Sequence, residues 1–278
     1  MLPKEILASL ALEGKAIPIV GGDVNQTYRI VTDENNYFLK FHPGIDQTFF
    51  QAEINGLKEL ADFVRVPQVY NWGQTGEGSY LVMEWIEPGD DSQEELAATL
   101  STLHHHTQEL FGFYEDNYIG ILPQVNAQTN NWVNYFLTCR LDVQVELAKL
   151  HNVWSPVREE RYLRLKEKIY AKWQDREVAA SLLHGDFWSG NYFFDQKGQP
   201  VLIDPAVSYG DREMDIAMAQ LFGGFREEFF QTYHDLFPLP TGWEQRQPVY
   251  QLYYLLVHLN QFGESYGGQV DEILQRFS

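Results

Sequence analysis

The run Leu183-His184-Gly185-Asp186-Phe187-Trp188-Ser189-Gly190-Asn191, followed by Ile203-Asp204-Pro205, decides how the rest of the chain is read. Between the two pieces, apolar residues 192–194 and 201–203 flank a turn at 195–198, which predicts a short hairpin. Its open end would set Asn191 beside Asp204. One amide oxygen and one carboxylate are hard oxygen ligands of the kind Mg2+ takes when a phosphate chain fills its other positions. Asp186, on the loop entering the hairpin, would accept the proton of a hydroxyl that faces such a phosphate. The competing reading is a loop whose Asp and Asn satisfy only their own backbone. That reading suits any one of these residues alone; the spacing D-x4-N-x12-D favours chemistry.

Upstream, the sequence supplies a complementary half. Residues 17–20, 27–32 and 37–41 read as strands, with turns at Gly21-Gly22-Asp23 and at 33–36. Residues 48–63 carry apolar side chains at helical spacing, and 68–72 and 79–86 read as two more strands. The order β-β-β-α-β-β predicts a five-stranded antiparallel sheet with one helix across it. Lys40 ends an apolar strand, and Glu53 lies on the helix thirteen residues on; a pair between them would hold an ammonium against phosphates. A solvated edge charge is the bland reading of Lys40. The Gly22–Asn25 turn would let backbone N–H groups approach phosphate oxygens, or is an ordinary hairpin turn. Glu84, Trp85 and Ile86 close the last strand, where a purine could bond the backbone.

Glu87-Pro88-Gly89-Asp90-Asp91 breaks the pattern, and helical spacing follows at 92–107, 131–151, 156–173, 212–222, 227–235 and 245–266. The expected architecture is α+β: residues 1–87 as a small β-rich lobe, residues 88–278 as a larger, mainly helical lobe. Ligand sites favour clefts between such lobes. Composition sets the outer limits. The 278 residues carry 20 basic against 39 acidic side chains, a net charge of −19 that repels nucleic-acid backbones. No apolar run is long enough to span a bilayer, and the first residues lack a signal-peptide pattern. The single cysteine, Cys139, excludes an internal disulfide and fits a reducing compartment, so a cytoplasmic protein is expected.

The H-G-D…N…D set resembles that of the aminoglycoside phosphotransferase and choline kinase superfamily, whose fold is protein-kinase-like. The finer resemblance is to the fructosamine kinase (ketosamine 3-kinase) family. It rests on Leu183 to Asn191, on Ile203-Asp204-Pro205-Ala206, on Tyr209-Gly210-Asp211-Arg212-Glu213, on Leu221 to Phe225, and on Pro123-Gln124-Val125-Asn126 with Trp132. The resemblance implies ATP-dependent phosphorylation of a sugar hydroxyl, typically O3 of a small-molecule or protein-bound ketosamine, in a repair reaction. It implies Asp186 as base, Asn191 and Asp204 as metal ligands, and Lys40 as phosphate contact with Glu53 as partner. Gly22, Asn25 and Glu84 to Ile86 would contact nucleotide, and His184 and Asp215 would support the catalytic loop. Asp215 also reads as a helix cap. Trp188 reads either as a wall for the sugar or as a core residue holding the loop. A monomer or weak homodimer is expected.

Other features carry less. His104-His105-His106 fall at consecutive helix positions, which point apart, so a zinc site is not expected. Two rival functions stand beside the ketosamine reading. One is a superfamily kinase acting on choline, homoserine, methylthioribose or an aminoglycoside; the other is a pseudokinase that binds nucleotide without chemistry.

Overall fold

The computed structural model describes residues 6–7, 14–19 and 25–278. Five strands form an antiparallel sheet in the order β1-β2-β3-β5-β4: β1 (Gly14–Ile19), β2 (Gln26–Thr32), β3 (Asn36–Pro43), β4 (Val69–Thr75) and β5 (Gly78–Glu84). Period-two alternation sends Tyr28, Ile30, Leu39, Phe41, Tyr80 and Val82 to one face, where they pack with Ile6. Lys40, between Leu39 and Phe41, therefore points to the other face. The helix Thr48–Ala61 buries Phe49, Phe50, Ile54, Leu57 and Leu60, the stripe expected from its sequence.

The chain forms two compact units. The first holds the described residues up to Ser92 together with Phe193–Asp204; the second holds Gln93–Tyr192 and Pro205–Ser278. The division thus falls a few residues beyond 87, and the hairpin 193–204, expected in the helical part, belongs with the sheet. The cause is backbone bonding: Leu202 N–H donates to Arg65 O at 3.0 Å, and Gly89 N–H donates to Phe194 O at 2.7 Å. Gly89 has no alternative, since a Cβ there would sit 2.0 Å from Asp195 O.

In the second unit, helices Gln93–His105, Pro156–Trp173, Glu213–Leu221, Glu227–Leu236 and Trp243–Phe262 agree with the apolar spacing to within a few residues. The segment expected as one helix over 131–151 instead has a π-helical middle, Phe136–Leu141. A three-stranded sheet in the order β12-β9-β6 pairs Ala180–Leu183 (β9) with Ser208–Gly210 (β12) and Thr107–Gln108 (β6). The loop 184–191 leaves the end of β9, and Pro205–Val207 leads into β12. This small sheet positions the loop 184–191.

Candidate active site

In the first unit, Lys40 Nζ bonds Glu53 Oε1 at 2.7 Å and also bonds Asp204 Oδ1. The lysine side chain is 4% exposed and that of Glu53 12%, whereas Asp204 is 41% exposed. Burial works against the ammonium, yet the Asp204 and Glu53 carboxylates together hold the Lys40 pKa above the usual lysine range. Burial pushes the Glu53 carboxyl up to about 7, with Lys40 pulling it down and Asp204 adding to the rise. Asp204 adopts a φ of +54°, left-handed for a residue that is not glycine. Such backbone strain collects where a side chain must be aimed.

In the second unit, the loop after β9 bonds to itself. Asn191 Nδ2 donates to both the carbonyl and Oδ2 of Asp186, each at 2.9 Å. Trp188 N–H donates to Asp186 O at 3.1 Å and Asn191 N–H to Trp188 O at 3.0 Å. The asparagine thus spends its amide N–H groups on Asp186, leaving its amide oxygen as an acceptor. In the first unit, Asp204 is partly open to solvent and offers an anionic hard oxygen; a neutral amide oxygen and a carboxylate oxygen are each of the kind that Mg2+ takes. Among the described residues no three His, Cys, Asp or Glu side chains gather into a metal cage.

The loop's rear is braced by bonds from distant parts of the chain. Asp215 sits in the first turn of Glu213–Leu221, but no side-chain cap is made there at Arg212. Its oxygens instead accept from His184 N–H at 2.7 Å and Gly185 N–H at 2.9 Å. Ala206 N–H donates to His184 O at 2.8 Å. Gly185 has φ +83°, and a Cβ there would lie 1.9 Å from Ala206 O, so only glycine fits. Gln124 Nε2 donates to Ala206 O at 3.1 Å, and Asn117 Nδ2 to Val207 O at 2.8 Å. Tyr253 OH then donates to Gln124 Oε1 at 2.7 Å. These clamps fix the strand that fixes the loop. The Phe222–Phe225 segment packs on the loop from another direction: Phe225 lies 5.3 Å from Phe187, and a Cβ at Gly224 would meet Ser189 at 2.4 Å.

The remaining expected residues fall as follows. Trp188 is 37% exposed and its indole lies over Gly190, where a Cβ would meet the ring at 2.3 Å. A wholly buried core role is therefore excluded for it. Asn25 is half-buried, while Gly22 lies outside the described residues. Glu84 N–H donates to Gln68 O at 2.8 Å and its carboxylate binds Arg65 at 2.6 Å, so that N–H is committed within the sheet. Trp85 stacks under Arg29, 4.4 Å from its ring centre, and bonds Glu87. Glu84 and Trp85 line a cavity of about 390 Å³ with Tyr37 and Tyr70, which does not include Lys40, Glu53 or Asp204. Any purine contact from this segment must come from its other backbone groups.

An ion-paired lysine on a five-stranded antiparallel sheet, followed by an Asp–Asn loop at the end of a short strand, defines a protein-kinase-like phosphotransferase. The same fold is seen in the aminoglycoside phosphotransferase APH(4)-Ia, with a TM-score of 0.67 and 15% identity over 99% of this chain and 98% of that one. The family model for fructosamine kinase matches residues 6–278, and the chain belongs to that family. It is 57% identical over 272 residues to a "probable ketoamine kinase" of Enterococcus faecium, covering 98% of each chain. The crystal structure of a protein assigned as a fructosamine-3-kinase from Thermobifida fusca superposes with a TM-score of 0.86. That pair is 27% identical, over 99% of this chain and 97% of that one. The chain is an ATP-dependent phosphotransferase.

Proposed function

We propose that the protein transfers the γ-phosphoryl group of ATP to a sugar hydroxyl, O3, of ketosamines such as ribulosamine, erythrulosamine or fructosamine, in deglycation repair. The first unit would carry the nucleotide and the second the acceptor, free or protein-bound. The setting is the cytoplasm, in a monomer or weak homodimer. Among the described residues no helix is long and apolar enough to cross a membrane.

The observation that carries the reading is the bond from Asn191 Nδ2 to Asp186 Oδ2, which aims a carboxylate within a loop held from behind. Asp186 takes the proton of the acceptor hydroxyl as its oxygen bonds to the γ-phosphorus. The bond from that phosphorus to the bridging oxygen breaks, and ADP leaves with the electron pair. Lys40, kept cationic by Glu53 and Asp204, binds the phosphates. Asn191 and Asp204 would hold Mg2+, which when bound neutralises phosphate charge. Such neutralisation matters in a chain of net charge −19. Trp188 offers an exposed indole face for the C–H surface of a sugar.

The test is ATP consumption against ribulose-, erythrulose- and fructose-amine adducts, with choline and an aminoglycoside as controls. Turnover confined to the adducts supports the reading. Turnover on choline or the aminoglycoside alone, or thermal stabilisation by Mg-ATP without turnover on any acceptor, overturns it.

A further inference from the structure

His104 is the one member of the histidine run that is wholly buried, and it stands behind the catalytic loop. Its Nε2 lies 3.1 Å from Asp215 Oδ2 and its Nδ1 lies 2.7 Å from Tyr233 OH. Arg212 Nη1 donates to that same hydroxyl at 3.0 Å and to Phe237 O at 2.8 Å, and its guanidinium lies 3.6 Å from the Phe237 ring centre. The far end of the chain of bonds is therefore anchored.

Donor and acceptor bookkeeping fixes the protons. A guanidinium can only donate, so the Tyr233 oxygen accepts from Arg212 and spends its single proton on His104 Nδ1. Burial first of all, against the attraction of Asp215, keeps the imidazole pKa below the usual histidine value, so the ring is neutral. A neutral ring that accepts at Nδ1 carries its proton on Nε2 and donates it to Asp215. Asp215 then receives three donors, one from His104 and two from the His184 and Gly185 backbone.

We infer that His104, fixed as the Nε2–H tautomer by Tyr233 and Arg212, is a positioning residue that orients Asp215 and, through it, the backbone carrying Asp186. The inference rests on the reading of Asp186 as base. Without the third donor, the Asp215 carboxylate is free to rotate away from one of the two backbone N–H groups it serves. Asp186 follows Gly185 directly, so a small tilt of that peptide moves the base. Misplacement of a reacting group by about 1 Å costs on the order of 10²-fold in rate.

The experiment compares His104→Phe, His104→Gln, Tyr233→Phe and Asp186→Asn with wild type in steady-state kinetics. Long-range 1H–15N spectra of His104 accompany the wild type and Tyr233→Phe. Phenylalanine keeps the ring volume but has no nitrogen; kcat should fall about 10- to 100-fold while KM for ATP stays within about twofold. Glutamine keeps a donor for Asp215 and should recover most of the loss. Wild type should show the Nε2–H tautomer alone, and Tyr233→Phe should release the other. Wild-type kcat in His104→Phe, or an Nδ1–H tautomer in wild type, overturns the inference. If His104→Phe does not fold, the tautomer spectra of wild type and Tyr233→Phe decide alone. Substantial activity in Asp186→Asn would instead remove the base reading, whatever the histidine variants show.

Discussion

Replacing Lys40 by methionine exposes how the buried charges of the first unit are balanced, and its size can be worked from the structure. Breaking a buried ion pair typically costs about 3–5 kcal/mol because the surviving partner is left charged in a poor solvent. Here the partner can escape by taking a proton, since Glu53 already titrates at about 7. Its unfolded value lies near ~4.3. A carboxyl whose folded pKa is raised binds protons more readily when folded. That contribution is fully present below ~4.3, shrinks as pH rises, and is gone above the folded pKa.

In wild type the decline ends near pH 7. Without Lys40, burial and the Asp204 carboxylate both push Glu53 higher, so the decline continues further. The stability gap between variant and wild type should therefore be flat up to pH 7. Above it the gap widens by at most about 1.4 kcal/mol per pH unit, or about 2 kcal/mol by pH 8.5. Lys40 itself stays charged throughout this window, because its own pKa is raised. Urea denaturation of the metal-free protein at several pH values between 6 and 8.5 measures the gap. A gap that is constant from pH 7 to pH 8.5 would refute the account of Glu53 as the group that absorbs the lost charge.

Asp186→Asn should lower kcat by roughly 10²–10⁴-fold with Mg-ATP affinity near normal, measured by calorimetry; retention of more than about a tenth of kcat sinks the base assignment. Asp204→Ala should abolish Mg-dependent nucleotide binding, because Asn191 alone is neutral, and unchanged Mg-ATP affinity would count against its place at the metal. Trp188→Ala should raise KM for ketosamines about five- to hundredfold, the loss of about 1–3 kcal/mol of stacking, with KM for ATP and the melting temperature little changed. Equal effects on both substrates would move the indole out of the acceptor site.

How much of this was legible follows from how local each feature is. The five-stranded sheet could be read because alternation and turn residues are short-range signals; the strand with Lys40 between Leu39 and Phe41 shows both. The helix Pro156–Trp173 could be read to the residue, since Ser155 caps it, accepting from Arg158 N–H, and Pro156 opens it. The π-helical turn at Phe136–Leu141 could not. It accompanies a wholly buried Arg140 that bonds Val125 O and Asn126 Oδ1, and these lie on a separate segment. The last helix, Gly267–Phe277, lies beyond the expected helices and opens on two glycines, which intrinsic propensity disfavours in a helix. Its stability comes from burying Val270 and Leu274, which local propensity does not register.

The site divides along the same line. Asp186 and Asn191 stand five residues apart and declare themselves by spacing, whereas their supports are bonded across long stretches of chain. His104 and Asp215 are 111 positions apart, and Gln124 and Ala206 are 82. The histidine run shows what spacing can and cannot deliver. Consecutive helix positions point apart, and the side chains diverge. His104 turns inward to Asp215, while His105 is exposed, stacks 4.0 Å from Phe237 and bonds Ser101 O. Nothing within the run tells the two apart, because what distinguishes His104 is a carboxylate and a phenol supplied by two other helices. A residue read as acting on substrate, Asp186, is here aimed by a neighbour five positions on. One that acts through a backbone needs only to be reachable once the chain has folded.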